Sequence, residues 1–154
     1  MSHMECQTKW TGGMGFSAQI RGHQFVMDAK NDVGGKDQGP TPKEVLLASI
    51  CACTGMDVAS ILTKMRVHME SCDVNAQTDT TAGYPSIFQK VTLQYQLRGV
   101  DIKPEQVMKA VTLSMTKYCG VSAMVAKASP MEYEVFLNGE KIGAGVADFE
   151  SGKK

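Results

Sequence analysis

The sequence predicts an α+β fold in which strands surround a long apolar helix. Two observations support this prediction. A run of apolar residues after Thr41 has the length of a long helix and contains no proline, and a later segment, VTLQYQL, alternates apolar and polar residues as a strand does. The chain has 154 residues, the size of one ordinary domain, so we expect residues 1–154 to form a single domain.

The N-terminal part is predicted to form three short strands. The strand-like runs are residues 6–10, 16–20 and 23–28. Arg21 and Gly22 separate the last two runs and suit a two-residue hairpin turn. Residues 29–41 contain three glycines and a proline and are expected to be a loop. Residues 1–4 resemble the remnant of an expression tag.

The segment from Val45 to Met65 is predicted to be a helix at the centre of the fold. Thr41 can cap it, Pro42 suits its first position, and Glu44 suits the positive end of the helix dipole. Because the run VLLASICAC is apolar on nearly every face, we expect this helix to be buried all round. Its limited length and its polar residues argue against a membrane span.

The second half of the chain predicts two long strands, two helices and a final strand. These are the strands 68–80 and 88–100, the helices 104–118 and 121–127, and the strand 130–137. Ser114 belongs to the otherwise apolar stripe of the first of these helices, and Asn138 with Gly139 marks a hairpin turn after the final strand. A helix that is apolar on all sides needs partners on all sides, and only 6% of the residues are aromatic. We therefore infer a homodimer whose strands wrap a central pair of helices, with a two-layer monomer as the simpler alternative.

Composition excludes several classes of function. Lys and Arg together number 16, as do Asp and Glu, so the formal net charge is zero. This balance argues against a nucleic-acid partner bound through its phosphates and against a polybasic membrane anchor. No apolar signal segment precedes the five cysteines, which predicts a cytoplasmic protein with reduced thiols. The 11 methionines suit an adaptable apolar pocket.

The cysteines are the residues most able to carry chemistry. Cys51 and Cys53 are separated by about 200° on the predicted helix, so they can neither bond to each other nor face one site. Their C-x-C spacing is also poor for zinc, and we expect no metal. Cys119 precedes a short helix, where unpaired N–H groups favour a thiolate and Lys117 can add positive field. For each cysteine the alternative is inert packing.

Two stretches of the sequence carry a family resemblance. GPTPKEVLLASICACTGMDVASIL at 39–62 and KYCGVSAMV at 117–125 resemble the OsmC/Ohr family of thiol-dependent peroxidases, and most of all its YhfA-like branch. The shared signature is Pro-x-Glu at the start of a long helix, a cysteine eleven residues after that proline, and a second cysteine late in the chain. Counted from Pro42, these cysteines are Cys53 and Cys119.

The resemblance implies both an architecture and a reaction. The architecture is an intertwined homodimer, with antiparallel sheets wrapped around central long helices and two active sites between the subunits. In the reaction Cys53 attacks the O–O bond of a hydroperoxide and becomes a sulfenic acid. Cys119 then condenses with it to a disulfide, which an external dithiol reduces. No metal or bound cofactor is required.

The activating charges differ from those of the hydroperoxide-resistance branch. There a Glu directly follows the proline and positions an Arg over the thiolate, whereas this chain has Lys43 at that place and Glu44 one residue later. Arg21 and Lys36 are the candidate activating cations. Glu44 lies nine residues before Cys53, about 180° around the helix, so any contact between them has to cross a dimer interface. Glu44 is otherwise a first-turn carboxylate favoured by the helix dipole.

The leading hypothesis is a cytoplasmic peroxidase acting on organic hydroperoxides. Two alternatives stay open. The same dimer could bind a small apolar or acyl ligand, with both cysteines lining the pocket, and the altered cation pattern favours this. The cysteine pair could instead serve a redox sensor that peroxide oxidises without sustained turnover.

Overall fold

The computed structural model describes residues 1–151. The chain divides into two compact units, Met1–Leu46 and the remainder from Leu47 onward. Helix α1, Pro42–Lys64, begins in the first unit and continues in the second. A single domain over 1–154 stays a prediction.

The N-terminal unit contains the three predicted strands as an antiparallel sheet in the order β1-β2-β3. The strands are β1, Gln7–Gly12, β2, Gly15–Ile20, and β3, His23–Met27. Arg21 and Gly22 form the β2–β3 turn with φ of 50° and 84°, the left-handed values that a tight hairpin requires at both positions.

Asp28 organises the loop that follows β3. Its carboxylate is 3% exposed and accepts hydrogen bonds from the backbone N–H groups of Ala29, Lys36 and Gln38 at 2.8, 3.1 and 3.2 Å. Burial alone would raise the pKa of Asp28, but these N–H groups and the Lys36 ammonium hold it below its usual value. The predicted loop is therefore an ordered segment, which includes a 3₁₀ turn at Asn31–Val33.

The C-terminal unit has a four-stranded sheet in the order β4-β5-β6-β7. The strands are β4, Ser71–Thr80, β5, Phe88–Arg98, β6, Met131–Leu137, and β7, Glu140–Val146. β5 and β6 pair in parallel, so the expectation of antiparallel sheets alone is wrong for this unit. The helices between these two strands form a crossover, which returns the chain to run in the same direction.

The helices of this unit differ from the prediction in one place. α2 spans Pro104–Leu113, a π-helical turn occupies Ser114–Tyr118, and α3 spans Gly120–Val125. The predicted helix 104–118 therefore leaves α-helical geometry at Ser114. The core lies between the sheet and the helices, with side chains from β5, β6, α1 and α2 in one buried cluster.

The sequence led us to expect that helix α1 is buried on all sides. Within this chain it is not. Its buried residues form a single stripe: Ile50, Thr54, Val58 and Leu62. Ala52 and Met56 are exposed, Met56 by 71%. They lie two residues from the stripe, about 200° around the helix. The face of α1 opposite the core is thus apolar and open.

By length and composition alone, α1 is apolar enough to cross a membrane, with a mean hydropathy of 1.9 over its most apolar window. The sequence-based argument against a span was therefore too strong. Central helices of soluble proteins share these properties, and α1 contributes its buried stripe to the protein core.

Candidate functional site

The structure places the Cys53 thiol beside the Cys119 thiol within the C-terminal unit, close enough for Cys53 to raise the pKa of Cys119. Cys53 lies in the middle of α1 and is half-buried, whereas Cys119 is completely buried. Cys53 is therefore the member of this pair that has some exposure to a reactant. Such a pair can form a disulfide once the exposed sulfur is oxidised.

The π-helical turn determines where Cys119 lies. The backbone N–H of Cys119 donates to the carbonyl oxygen of Ser114 at 2.9 Å, five residues back, which closes the wide turn at Cys119. Cys119 is also the N-cap of α3. Its Sγ accepts from the backbone N–H of Ser122 at 3.4 Å and donates to Ser122 Oγ at 3.0 Å.

Burial dominates the acidity of Cys119. It raises the pKa of this thiol to about 11, the Cys53 thiol adds to the increase, and the Ser122 hydrogen bonds oppose it without cancelling it. The predicted thiolate stabilisation at the start of α3 is therefore outweighed. Lys117 does not alter this, because its ammonium lies over the Tyr118 ring, 5.2 Å from the centroid.

A chain of four hydrogen-bonded side chains lies beside the thiols. Thr54 Oγ1 is 2.7 Å from both Tyr95 Oη and Ser114 Oγ, and Ser114 Oγ donates to Asp57 Oδ2 at 2.8 Å. Each hydroxyl has one proton, so Thr54 has to donate to Ser114, and Tyr95 to Thr54. The chain therefore has one direction, from Tyr95 to the carboxylate of Asp57.

Tyr95 is held neutral at the start of this chain. Burial raises the pKa of its phenol, and the neighbouring Cys119 adds to that increase. Its ring packs edge-on against Tyr133 with centroids 6.0 Å apart. Sequence analysis missed this network and placed Ser114 only on an apolar stripe. The available signal in the sequence was a hydroxyl residue, Ser114, at a position that the helical period predicts to be buried.

The remaining three cysteines differ in exposure and surroundings. Burial raises the pKa of Cys51, and burial together with the Asp73 carboxylate raises that of Cys72. Cys6 is exposed. Within residues 1–151, no three side chains of His, Cys, Asp or Glu lie together in a way that could hold a metal ion.

Glu44 belongs to the N-terminal unit and is engaged locally. Its carboxylate accepts from the Thr41 backbone N–H at 2.7 Å, Thr41 Oγ1 accepts from the Glu44 N–H at 3.4 Å, and the Lys30 ammonium lies 3.6 Å from Glu44 Oε1. This is a capping box. The Thr41 bonds, and then Lys30, lower the pKa of Glu44.

The two candidate cations also belong to the N-terminal unit. Arg21 lies in the exposed β2–β3 turn, and Lys36 lies in the loop organised by Asp28. The role of Arg21, Lys36 or Glu44 toward Cys53 stays a prediction.

The N-terminal unit also has an open cleft of about 420 Å³. Its lining is mainly apolar and includes Met14, Phe16 and Met27, with Asp28 and Thr41 as polar members. Neither Cys53 nor Cys119 lines this cleft, so it differs from the cysteine-lined pocket that the apolar-ligand alternative expects.

A mixed α+β fold with two neighbouring thiols defines a class of small thiol-bearing proteins. Comparison with known proteins narrows that class. The family model described as OsmC-like protein matches residues 35–134. Protein YhfA of Escherichia coli K12 is 34% identical over 126 residues, which cover 81% of this chain and 91% of YhfA. The chain belongs to the OsmC family.

Solved structures agree with this assignment. A hypothetical protein from Aquifex aeolicus VF5 superposes with a TM-score of 0.78 at 26% identity, covering 90% of this chain and 99% of that one. An organic hydroperoxide resistance protein from Elizabethkingia anophelis superposes with a TM-score of 0.62 at 16% identity, covering 91% and 98%. At that identity the second likeness concerns the fold alone.

Proposed function

We propose that the protein is a thiol-dependent peroxidase that reduces organic hydroperoxides through Cys53 and Cys119. The observation that carries this proposal is that the half-buried Cys53 thiol neighbours the buried Cys119 thiol, close enough to raise the pKa of Cys119. Membership of a family with neighbours named as organic hydroperoxide resistance proteins supports the choice of substrate.

The reaction proceeds in three balanced steps. The Cys53 thiolate attacks the terminal oxygen of ROOH, which gives the sulfenic acid and an alkoxide that takes up a proton to become ROH. The Cys119 sulfur attacks the sulfenic sulfur and releases water as the disulfide forms. An external dithiol then reduces the disulfide and becomes oxidised itself. Every electron comes from the dithiol, so no metal or bound cofactor is needed.

The proposal includes a homodimer that works in the cytoplasm. The open apolar face of α1, with Ala52 and Met56 exposed, supports a second subunit because it would bury this face. Arg21 or Lys36 is proposed as the cation that activates Cys53, with Glu44 as its positioning partner. A reducing compartment keeps both thiols available between turnovers.

The test is consumption of cumene hydroperoxide with dihydrolipoamide as reductant. We expect Cys53→Ser to abolish turnover, and Cys119→Ser to stop after one equivalent with Cys53 as a trappable sulfenic acid. Cys72→Ser is the matched control, since Cys72 is also half-buried and should leave the rate unchanged. Equal turnover in wild type and Cys53→Ser would rule the proposal out.

A second function, redox sensing with slow turnover, is favoured by the pKa of Cys119. Because burial raises the pKa of the Cys119 thiol, it is mostly protonated at neutral pH, which slows its attack on the sulfenic acid. A sensor forms the Cys53–Cys119 disulfide with hydroperoxide and shows no sustained turnover with any dithiol.

A further inference from the structure

The hydroxyl chain beside the thiols joins the two segments that carry them. Thr54 directly follows Cys53 on α1, and Asp57 lies one turn further along the same helix. Both contact Ser114 Oγ, at 2.7 and 2.8 Å. The carbonyl oxygen of Ser114 in turn holds the backbone N–H of Cys119 at 2.9 Å. A single residue therefore bonds to the α1 segment through its side chain and to Cys119 through its backbone.

We propose that Thr54 and Ser114 are positioning residues for the Cys53–Cys119 pair, and that their hydroxyls hold the two sulfurs at the separation at which a disulfide closes. This assignment deepens the proposed peroxidase function, because it concerns the step in which Cys119 attacks Cys53.

Several features favour positioning over a merely packed polar pair. Thr54 and Ser114 are both completely buried, so their hydroxyls have only protein partners. Ser114 Oγ is bonded on two sides, which fixes its rotamer, and the carboxylate at the end of the chain strengthens the final bond. Disulfide geometry tolerates little displacement, so loosening this connection weakens the bond between the sulfurs.

The effect can be measured without peroxide. In glutathione buffers, two protein thiols and one glutathione disulfide give the Cys53–Cys119 disulfide and two glutathione thiols, and the protons of both cysteines end on glutathione. The equilibrium, read by acid quench and peptide mass spectrometry, gives the effective concentration of one sulfur toward the other. A lower value means poorer positioning.

Thr54 offers the sharpest pair of variants. Thr54→Val keeps the shape and loses the hydroxyl, whereas Thr54→Ser keeps the hydroxyl and loses a methyl group. We expect Thr54→Val to lower the effective concentration by about tenfold, the scale of one buried hydrogen bond, and Thr54→Ser to stay within about threefold of wild type. The opposite order would mean that packing sets the geometry, and it would overturn the proposal.

Ser114→Ala provides the second comparison, with Ser129→Ala as its matched control. Ser129 is also a buried serine of the C-terminal unit, and its hydroxyl donates to the Phe88 carbonyl oxygen at 2.8 Å. We expect Ser114→Ala to lower the effective concentration by about tenfold and Ser129→Ala to change it less than about twofold. Equal effects in the two variants would show a general response to lost stability and would contradict the proposal.

The outcomes separate this proposal from the peroxidase assignment. A disulfide that depends on the hydroxyls, in a protein that consumes no hydroperoxide, supports positioning and removes the peroxidase. Steady peroxide turnover with an effective concentration that ignores Thr54→Val and Ser114→Ala removes positioning and leaves the peroxidase. A wild-type protein that forms no Cys53–Cys119 disulfide in any glutathione buffer overturns the positioning role.

Discussion

Helices α1 and α3 begin with the same device in opposite surroundings. At α1 the Thr41 hydroxyl and the Glu44 carboxylate cap each other's backbone N–H groups in exposed positions. At α3 the Cys119 sulfur accepts the Ser122 N–H and is completely buried. Backbone donors at the first helix lower the pKa of Glu44, whereas the pKa of Cys119 rises despite its donor.

The difference shows that a helix N-terminus does not by itself create an anion. An N–H bond favours the charged form of a group only to the extent that burial has not already disfavoured it. The Glu44 side chain is 48% exposed, and its lowered pKa keeps it charged at neutral pH. Cys119 has lost its hydration, and a single N–H bond and one serine hydroxyl do not replace it.

The largest expected effect is the pH dependence of disulfide closure. It tests the acidity of the buried Cys119 thiol at the start of α3. Because the pKa of Cys119 is about 11, its thiolate fraction rises about tenfold per pH unit below that value. We expect the rate at which Cys119 consumes the Cys53 sulfenic acid to increase about 100-fold between about pH 7 and pH 9. Quenched-flow peptide mapping after one equivalent of cumene hydroperoxide measures this rate. A rate that stops rising at about pH 7 would mean that the Cys119 thiolate is stabilised and that the pKa of this thiol is not raised.

We expect an intermediate effect on stability when the exposed N-terminal cap of α1 is removed. Thr41→Ala removes the oxygen that accepts the Glu44 N–H and should cost about 1 kcal/mol of unfolding free energy. For a chain of this size that corresponds to a decrease in Tm of about 2–4 °C, measured by calorimetry. Thr41→Ser retains the hydroxyl and serves as the control. An equal decrease in both variants would argue against the cap.

The smallest effect concerns the first helical residue, which is Pro42 in α1 and Gly120 in α3. A Cβ at Gly120 would meet no atom within 4 Å, and the backbone there does not need the left-handed conformation. Gly120→Ala should therefore stabilise the protein by about 0.4–1 kcal/mol, chiefly by restricting the unfolded chain. Gly139→Ala, at φ of 85°, is the contrasting control and should destabilise it. Denaturant unfolding compares the two, and a loss of stability in Gly120→Ala would contradict the prediction.

Sequence reasoning succeeded where the signal is local. The turn at Arg21 and Gly22, the start of α1 and the alternation in β5 each depend on a few neighbouring residues, and the structure contains all three. β7 was missed because Gly143 and Gly145 weaken its strand pattern. Neighbouring side chains occupy the space where a Cβ of these two residues would lie. Met108 faces Gly143, and the Tyr133 hydroxyl faces Gly145.

The candidate site was only partly accessible from the sequence. The motif selected Cys53 and Cys119, and the structure brings these two together. The hydroxyl network could not be predicted because its hydrogen bonds join residues that are far apart in the sequence. Thr54 and Tyr95 are 41 residues apart, and Thr54 and Ser114 are 60 residues apart. The change to π-helical geometry at Ser114 was hidden as well, since the apolar pattern continues through the turn.

The wide turn before Cys119 holds an extra residue without changing what the Cys119 backbone bonds to. Its closing bond spans five residues where an α-helix spans four, so the turn contains one residue more than a regular helix needs. Deleting one residue from Thr116 to Tyr118 would convert the bond between the Cys119 N–H and the Ser114 carbonyl oxygen into an ordinary α-helical bond, and the two residues would keep nearly the same relative position. A single-codon deletion in this turn would thus shorten the chain and leave the cysteine pair in place.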